Sequence, residues 1–417
     1  MKNLLYYNIL VLLFPLLLFT SCEEVKGTPE EFITKQKTVL VYMAANNNLS
    51  EDARNNLAAM QQGYIPDEEG NLVVYYHYPN QNPLLFHIRH NEEGNVAIDT
   101  IYRFPSRNSA TATSLTNAIQ VTSAYFPAEE YGLILWSHAT GWLPVNYYAN
   151  NPQTASAQFA EQFALSNSPF ANYDNGADPY ADIVKMVKQN RNGILSRSFG
   201  SEENSEIDIK DVVKALPFKF SFIIFDACLM GGIEPAYQLK DSTDYILFSP
   251  TETLANGMPY ASIMQHIFAQ PTDLTAVAKE YYNFYNNQSS LRYATISLVK
   301  TSELEDLANA ASEIFGKYRD SISTVKINNI QRYYRGNKHW FYDISDFIGQ
   351  IAPKDEAEAF NKALDKAVIY KAATPYFIDI PINSFSGLST YIPYFNETEL
   401  DNYYKTLEWN KVCGMIE

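Results

Sequence analysis

Two short stretches of this sequence end in side chains that could act together in nucleophilic chemistry. Phe222–Glu234 reads FIIFDACLMGGIE and places Cys228 shortly after an apolar run. Tyr131–Trp142 reads YGLILWSHATGW and places His138 after a similar run. The attacking species of a cysteine nucleophile is the thiolate, and a neighbouring imidazole both lowers the thiol pKa and returns a proton to the leaving group. The pair therefore indicates Cys–His catalysis.

The elements that must position this pair are two strands. The apolar runs Leu133–Trp136 and Phe222–Phe225 are typical of strands buried on both faces of a sheet. Parallel α/β sheets gather reactive groups at the carboxyl edge, where such strands end, so two parallel strands could set His138 beside Cys228. Each residue alone also has a structural explanation. Cys228 could be a core cysteine, and His138 could be a hydrogen-bonded residue at a strand end.

The rest of the chain alternates strand and helix patterns, which predicts an α/β fold with a mainly parallel sheet. The predicted strands are 38–44, 72–78, 84–90, 96–102 and 245–248, with a strand-like segment at 388–395. The predicted helices are 49–62, 114–126, 207–216, 274–286, 301–325 and 354–370. Residues 146–192 are rich in Asn, Gln, Ala, Ser and Tyr and lack a clear strand pattern, which predicts an insertion or a loop.

The first 22 residues have the pattern of a secretory signal peptide. Their apolar run is shorter than the roughly 20 residues that a membrane span needs. The run ends in Leu18-Phe19-Thr20-Ser21-Cys22, which resembles a bacterial lipobox and implies cleavage before Cys22 and lipidation of its thiol. The alternative is a signal peptide without lipid and with an incidental cysteine. Lipid chains would hold the protein on a membrane surface outside the cytoplasm. Glu23-Glu24 favour the outer membrane of a Gram-negative bacterium or the cell surface.

Composition excludes two classes of protein. The chain has three cysteines, and with Cys22 lipidated and Cys228 catalytic only Cys413 remains, so no disulfide framework is predicted. The net charge of −16 and the absence of a basic stripe argue against a nucleic-acid partner. A chain of 417 residues that is 46% hydrophobic can bury an ordinary core of one large or two smaller domains.

The two reactive stretches together resemble the clostripain family of cysteine peptidases, within the larger caspase-like group. DACLMG is the most specific part of the resemblance. Further stretches agree in order and spacing between about Thr38 and Phe395: TVLVYMAANNNL, SFGSEENSEIDIKDV, SPTETLANGMPY, YDISDFI and GLSTYIPYF. The resemblance implies a caspase-like three-layer sandwich with a mainly parallel central sheet, plus a C-terminal α+β subdomain. The predicted organisation is a lipoprotein signal peptide at 1–22, a tether at 23–36, a catalytic core at 37–270 that contains the 146–192 insertion, and the subdomain at 271–417.

The same resemblance implies roles for individual residues. Cys228 is the expected nucleophile, His138 the general acid and base, and the backbone N–H groups of Cys228 and Ala139 the oxyanion hole. Cleavage after Arg or Lys is expected, because Asp226 matches the acidic residue that family members place in the S1 pocket. The alternative for Asp226 is a helix or turn cap. Glu252 could lie on the pocket wall or could be structural.

The sequence departs from the family pattern at two places. Ala139 stands where relatives usually carry glycine. If that position needs a positive φ, alanine would cost about 1–2 kcal/mol, and its methyl group could also intrude where substrate passes. Asn46-Asn47-Asn48 stands where relatives usually carry an aspartate, with a consequence that the sequence leaves open. Some relatives are activated by a cut between the two strands. Some require calcium, but no EF-hand-like loop occurs here, so no cofactor is predicted.

Three functions compete at this point. The first is a membrane-anchored cysteine endopeptidase that cuts protein or peptide substrates after basic residues. The second is a catalytically impaired relative that binds a peptide or a surface partner, and Ala139 is its main support. The third is a glycan-binding lipoprotein, which rests only on the 14% aromatic content.

Overall fold

A nine-stranded sheet organises the chain in the computed structural model. The structure describes residues 35–63, 70–91, 93–105, 108–147, 199–202, 205–289, 291–334 and 340–417. The predicted signal peptide and most of the 146–192 insertion lie outside the described residues. The strands are β1 (Lys35–Ala44), β2 (Asn71–His77), β3 (Leu84–His90), β4 (Val96–Arg103), β5 (Ala128–Trp136), β6 (Phe199–Glu202), β7 (Ser205–Ile207), β8 (Phe220–Asp226), β9 (Thr243–Phe248), β10 (Thr295–Lys300), β11 (Tyr342–Asp343), β12 (Val368–Ala373), β13 (Tyr376–Phe377), β14 (Ile380–Pro381) and β15 (Ser389–Thr390).

The order of the large sheet is β12-β10-β9-β8-β5-β1-β2-β3-β4. Its five central strands, from β9 to β2, run parallel to one another. The pairings outside this centre are antiparallel. On one side β10 pairs with β9 and β12 pairs with β10, and on the other side β3 pairs with β2 and β4 pairs with β3. The predicted α/β class with a mainly parallel centre is confirmed, and the strands predicted at 84–90 and 96–102 are β3 and β4.

The central strands are apolar on both faces because each face meets its own core. In β1, Val39, Val41 and Met43 enter one hydrophobic cluster, whereas Leu40 and Tyr42 enter the other. Side chains alternate between the two faces of a strand, so a continuous apolar run supplies both cores at once. This explains why β1, β5 and β8 could be predicted from sequence.

Helices cover both faces and complete three layers. The helices are α1 (Ser50–Gly63), α2 (Ala112–Tyr125), α3 (Ile209–Ala215), α4 (Ile233–Gln238), α5 (Tyr260–Ile267), α6 (Leu274–Asn286), α7 (Leu304–Tyr318), α8 (Ile344–Ile351), α9 (Lys354–Ala367), α10 (Thr398–Tyr404) and α11 (Glu408–Cys413). Residues of α1, α5 and α6 pack into the cluster on one face, and the other eight described helices pack on the opposite face. No helix in the described ranges is long and apolar enough to cross a membrane.

Three expectations from the sequence need correction. The helix predicted at 354–370 ends at Ala367. Residues 368–370 of the predicted range belong instead to β12, which pairs with β10. The strand-like segment 388–395 contains only the two-residue β15, which pairs with β11. Lys35 and Gln36, predicted as the end of the tether, begin β1. In each case a pairing with a distant segment decides the conformation.

The carboxyl third of the chain contributes to the central sheet. The described residues between 35 and 417 cluster as one compact unit. β10 and β12, which belong to the predicted C-terminal subdomain, extend the sheet of the predicted core. The division into a core and a subdomain at residue 270 stays a prediction.

Candidate active site

The register of β5 and β8 brings His138 and Cys228 to the same edge of the sheet. These strands are parallel neighbours, and Trp136, the last residue of β5, pairs with Asp226, the last residue of β8. His138 and Cys228 each lie two residues beyond this pair. Both residues are partly buried. The two loops therefore leave the carboxyl edge at the same level, where parallel sheets place their reactive groups.

Backbone atoms of Thr253 flank the thiol of Cys228. The amide N–H of Thr253 donates to Cys228 Sγ at 3.3 Å, and the thiol donates to the carbonyl oxygen of Thr253 at 3.7 Å. Thr253 belongs to residues 249–253, which we call the flanking loop and which follow β9 in the chain. In the sheet, β9 is the neighbour of β8. An N–H donor favours the charged form of an acceptor, so this contact suits a thiolate.

The backbone after the cysteine is strained and closely packed. Residues 228–232, which we call the cysteine turn, include Leu229 with a φ of 61°. Such a left-handed conformation costs a non-glycine residue about 1–2 kcal/mol. A Cβ on Gly231 would lie 2.4 Å from the backbone nitrogen of Pro250. The cysteine turn therefore fits against the flanking loop only because glycine occupies position 231.

Asn48 contacts the imidazole of His138. Asn48 Oδ1 lies 2.7 Å from His138 Nε2, and Asn48 belongs to the loop between β1 and α1. An amide oxygen only accepts hydrogen bonds, so Nε2 carries a proton in this contact, and in a neutral ring Nδ1 is then the basic nitrogen. The consequence of the Asn46-Asn47-Asn48 departure, left open by the sequence, thus includes a contact that orients the histidine.

Ala139 occupies its position without backbone strain. It is not among the described residues with positive φ, whereas Gly141, two residues later, has a φ of 64°. A Cβ on Gly141 would lie 2.5 Å from the carbonyl oxygen of Leu229. Ala139 is 1% exposed, and its side chain belongs to a hydrophobic cluster. In this loop glycine is therefore required at position 141, whereas the methyl group of Ala139 packs in the core.

Asp226 is a buried carboxylate at the end of the cysteine strand. It is 5% exposed, and its Oδ2 accepts hydrogen bonds from the N–H of Met258 at 3.0 Å and from the hydroxyl of Tyr260 at 2.8 Å. Burial raises the pKa of Asp226 to about 6, against the opposing effect of these two bonds. Both bonds from described residues reach Oδ2 and none reaches Oδ1. The contacts fit the predicted turn cap and still leave one oxygen for a ligand.

Glu252 lies on the flanking loop, between Thr251 and Thr253, and is 9% exposed. Its place beside the residue that flanks Cys228 is compatible with a pocket wall, which stays a prediction. In the part of the chain that the structure covers, no group of three or more His, Cys, Asp or Glu residues could hold a metal ion.

Glu234 is a second buried acid near the cysteine, and the sequence prediction did not include it. It is fully buried, and its Oε1 accepts hydrogen bonds from the N–H of Tyr391 and the hydroxyl of Tyr404, both at 2.8 Å, and from the hydroxyl of Thr390 at 3.0 Å. Its Oε2 is buried without a hydrogen-bond partner among the described residues. Burial raises the pKa of Glu234 to about 7. The only sequence signal was an acid two residues after the Gly231-Gly232 pair of the cysteine turn.

The arrangement can support acyl transfer through sulfur. It combines a partly buried thiol beside an N–H donor, an oriented imidazole on the neighbouring strand and a buried carboxylate at the end of the cysteine strand. These are the nucleophile, proton carrier and charge that such chemistry uses.

Comparison with known proteins agrees with this chemistry. The profile of the Clostripain family of peptidases matches residues 41–159 and 186–413. No curated protein matches the chain.

Three solved structures share the fold. An inactive zymogen C11 protease from Parabacteroides distasonis is 30% identical, with a TM-score of 0.72 over 91% of this chain and 98% of its own. A secreted C11 cysteine protease from Bacteroides thetaiotaomicron is 25% identical in its complex with an irreversible peptide inhibitor, with a TM-score of 0.71 over 91% of this chain and 99% of its own. A further structure of a secreted C11 cysteine protease from that organism, at 23% identity and a TM-score of 0.72 over 91% and 100% of the two chains, supports the fold alone. The caspase-like architecture is confirmed.

Proposed function

This chain belongs to the clostripain family of cysteine peptidases, and we propose that it is an endopeptidase that cleaves peptide bonds after Arg or Lys with a Cys–His dyad. The observation that carries the proposal is the pairing of Trp136 with Asp226, because it sets His138 and Cys228 at one level of neighbouring parallel strands. The peptide inhibitor bound by the secreted protease from Bacteroides thetaiotaomicron supports a peptide substrate for this chain.

In the proposed first step, the thiolate of Cys228 attacks the carbonyl carbon of the scissile bond. The C–N bond breaks, the acyl group stays on Sγ, and the imidazolium of His138 gives its proton to the leaving amine. In the second step, neutral His138 takes a proton from water, and the water oxygen attacks the thioester. The carboxylic acid product leaves, and the thiolate and imidazolium are restored.

The oxyanion of each tetrahedral intermediate would be bound by the backbone N–H groups of Cys228 and Ala139. Alanine keeps the N–H that glycine would supply. Because Ala139 lacks a positive φ and buries its methyl group in the core, neither feature that would impair the site is present at this residue. These observations weigh against the alternative, in which an impaired relative only binds a peptide or a surface partner.

Asp226 is the proposed S1 acid, with Glu252 as a candidate for the pocket wall. Burial disfavours the charged form of Asp226, and its Oδ1 receives no hydrogen bond from a described residue. A cationic Arg or Lys side chain that reached Oδ1 would restore the favourable interaction that burial removes. A neutral side chain would leave the carboxylate without compensation, which is the physical basis of the proposed selectivity.

We also propose that Cys22 is lipidated and anchors the protein outside the cytoplasm, on the outer membrane or at the cell surface. Mass spectrometry of the amino-terminal peptide of protein purified from a bacterial membrane tests this. A peptide that begins at a lipid-modified Cys22 is the expected result. A mature amino terminus elsewhere, with an unmodified thiol, would overturn the proposal.

The peptidase proposal is tested with fluorogenic peptides that end in Arg, Lys or norleucine, the last being a neutral analogue of Lys. Wild-type protein should cleave the basic peptides. Cys228→Ala and His138→Ala should each lower kcat/KM by at least about 1000-fold, with unchanged melting temperatures. A gel run beside the assay shows whether activity accompanies a cut in the chain. Turnover that persists in Cys228→Ala would refute the dyad.

A further inference from the structure

Three buried hydroxyl groups form a triangle at the base of the flanking loop. Thr295 Oγ1 lies 2.7 Å from Ser249 Oγ and 2.8 Å from Thr251 Oγ1, and the two loop hydroxyls lie 3.2 Å apart. Ser249 is 2% exposed, and Thr251 and Thr295 are fully buried. Thr295 is the first residue of β10, so the triangle ties the flanking loop to the neighbouring strand.

One arrangement of protons satisfies all three hydroxyl groups. Thr251 donates to the carbonyl oxygen of Glu252 at 3.0 Å, so its oxygen can accept the proton of Thr295, which in turn accepts the proton of Ser249. Thr295 Oγ1 also accepts the backbone N–H of Thr251 at 3.3 Å. A hydroxyl has one proton and two acceptor positions, so Thr295 uses its full capacity here. A buried group with all of its bonds made has one preferred geometry.

The opposite side of the flanking loop holds the cysteine turn. The carbonyl oxygen of Thr251 accepts the N–H of Leu229 at 2.9 Å, and that of Ser249 accepts the N–H of Gly231 at 2.8 Å. Two residues after Thr251, the N–H of Thr253 meets Cys228 Sγ at 3.3 Å. The triangle, the loop and the thiol thus form one continuous hydrogen-bonded path.

We propose that Thr295 is a positioning residue for the reaction at Cys228: its hydroxyl holds the flanking loop so that the N–H of Thr253 faces the sulfur and stabilises the thiolate. This inference rests on the proposed function of Cys228 as the nucleophile. Thr253 makes two opposing contacts with the sulfur: its N–H at 3.3 Å favours the charged form, and its carbonyl oxygen at 3.7 Å favours the thiol. The shorter contact is that of the N–H, so the net effect of the held loop is to favour the thiolate. Loss of the triangle releases the loop, weakens this bond and makes the thiolate scarcer at neutral pH.

Thr301 provides a matched control at the other end of the same strand pair. It follows β10 directly, is 5% exposed, and donates from Oγ1 to the carbonyl oxygens of Thr243 at 2.7 Å and Asp244 at 3.1 Å. These carbonyls belong to the start of β9, at the sheet edge opposite the cysteine. Thr295→Val and Thr301→Val are therefore the same chemical change, the loss of one buried threonine hydroxyl that links β9 to β10 or to the residues next to them. Only Thr295→Val makes this change beside the flanking loop.

The experiment measures the rate of alkylation of Cys228 by iodoacetamide between pH 5 and 10 in the full chain. Mass spectrometry of the peptide that contains Cys228 distinguishes alkylation of this thiol from alkylation elsewhere in the chain. Thr295→Val should move the alkylation midpoint upward by about one pH unit, which lowers the rate below the midpoint about tenfold. Thr295→Ser, which restores the hydroxyl, should return the midpoint to that of wild type. Thr301→Val should leave the midpoint unchanged.

Ser249→Ala removes one hydroxyl of the triangle and should move the midpoint in the same direction by less; it decides the question if Thr295→Val does not fold. A folded Thr295→Val protein with the wild-type midpoint would overturn the inference, as would an equal upward shift in Thr301→Val. Alkylation needs no substrate. An upward shift in a protein that cleaves no peptide would therefore refute the proposed peptidase function and leave only the effect of Thr295 on the Cys228 thiol standing.

Discussion

Asp226 and Glu234 are two buried acids on opposite sides of the cysteine turn, and they make contrasting contacts. Burial raises the pKa of both, to about 6 and about 7. The bonds of Asp226 come from residues 258 and 260 and leave Oδ1 without a bond from a described residue. The bonds of Glu234 come from residues 390, 391 and 404, and its Oε2 is enclosed.

Under the proposed function, Asp226 is the acid that meets the substrate and Glu234 is the acid that holds the fold together. A raised pKa alone does not mark a catalytic residue, because any sufficiently buried carboxylate acquires one. What distinguishes Asp226 is its place two residues before Cys228 at the strand end. Glu234 instead ties the cysteine turn to the carboxyl-terminal segment that contains β15 and α10. Changes at Asp226 should therefore alter activity, and changes at Glu234 should alter stability.

Of the two acids, Asp226 should have the larger effect on activity. Asp226→Asn should lower kcat/KM for Arg- and Lys-ended peptides by about 100-fold, because the charge that pairs with the substrate is lost. The melting temperature at neutral pH should not fall, since the amide oxygen can still accept the bonds from Met258 and Tyr260 and the substitution removes a buried charge. Steady-state kinetics and thermal unfolding measure the two effects. Full activity in Asp226→Asn would identify the residue as a turn cap alone.

The next effect is on stability at Glu234. Glu234→Ala should reduce the free energy of unfolding by about 3–5 kcal/mol, because the donors of Thr390, Tyr391 and Tyr404 lose their shared acceptor in the interior. Urea unfolding followed by fluorescence measures this loss. A loss below about 1 kcal/mol would show that the carboxyl-terminal segment is held by other contacts.

The pH dependence of stability should carry the signature of Glu234. The unfolded chain releases this proton near pH 4.5, and the folded chain holds it until about pH 7. The folded state therefore binds more protons in this window, so the free energy of unfolding falls as pH rises through it, by about 3 kcal/mol in total. Glu234→Gln should become more stable relative to wild type between these values, while its kcat/KM stays within about threefold. Parallel stability curves for the two proteins would contradict this account.

The smallest expected effect is at Ala139. Because this residue has no positive φ and buries its methyl group, Ala139→Gly should change kcat/KM by no more than about threefold, measured with the same fluorogenic peptides. A gain above about tenfold would favour the impaired relative, since it would mean that alanine limits the natural protein.

Local patterns predicted the centre of the sheet, the strands β3 and β4 at one edge, and the places of His138 and Cys228 just after β5 and β8, but not β10 and β12 at the other edge. β1, β5 and β8 are apolar on both faces, which is visible in any short window of sequence. β12 alternates buried and less buried residues directly after a helix, and only its pairing with β10 makes it a strand. The helical prediction therefore ran past Ala367.

The contacts around His138 and Cys228 lay beyond prediction for a related reason. Asn48 meets His138 across 90 residues, and Thr295 meets Ser249 across 46. Asparagine, serine and threonine are common in loops, so their types alone do not single them out. Their roles follow from the sheet order, which places the ends of β1, β5, β8 and β9 at one edge.

The most direct test of the account is covalent labelling by a peptide that ends in Arg and carries an irreversible thiol-reactive group. A matched peptide that ends in norleucine is compared with it, and the modified residue is identified by peptide mapping. The account predicts a single adduct on Cys228, formed at least about tenfold faster with the Arg peptide and at equal rates for both peptides in Asp226→Asn. An adduct on another residue, or equal rates in the wild-type protein, would contradict it.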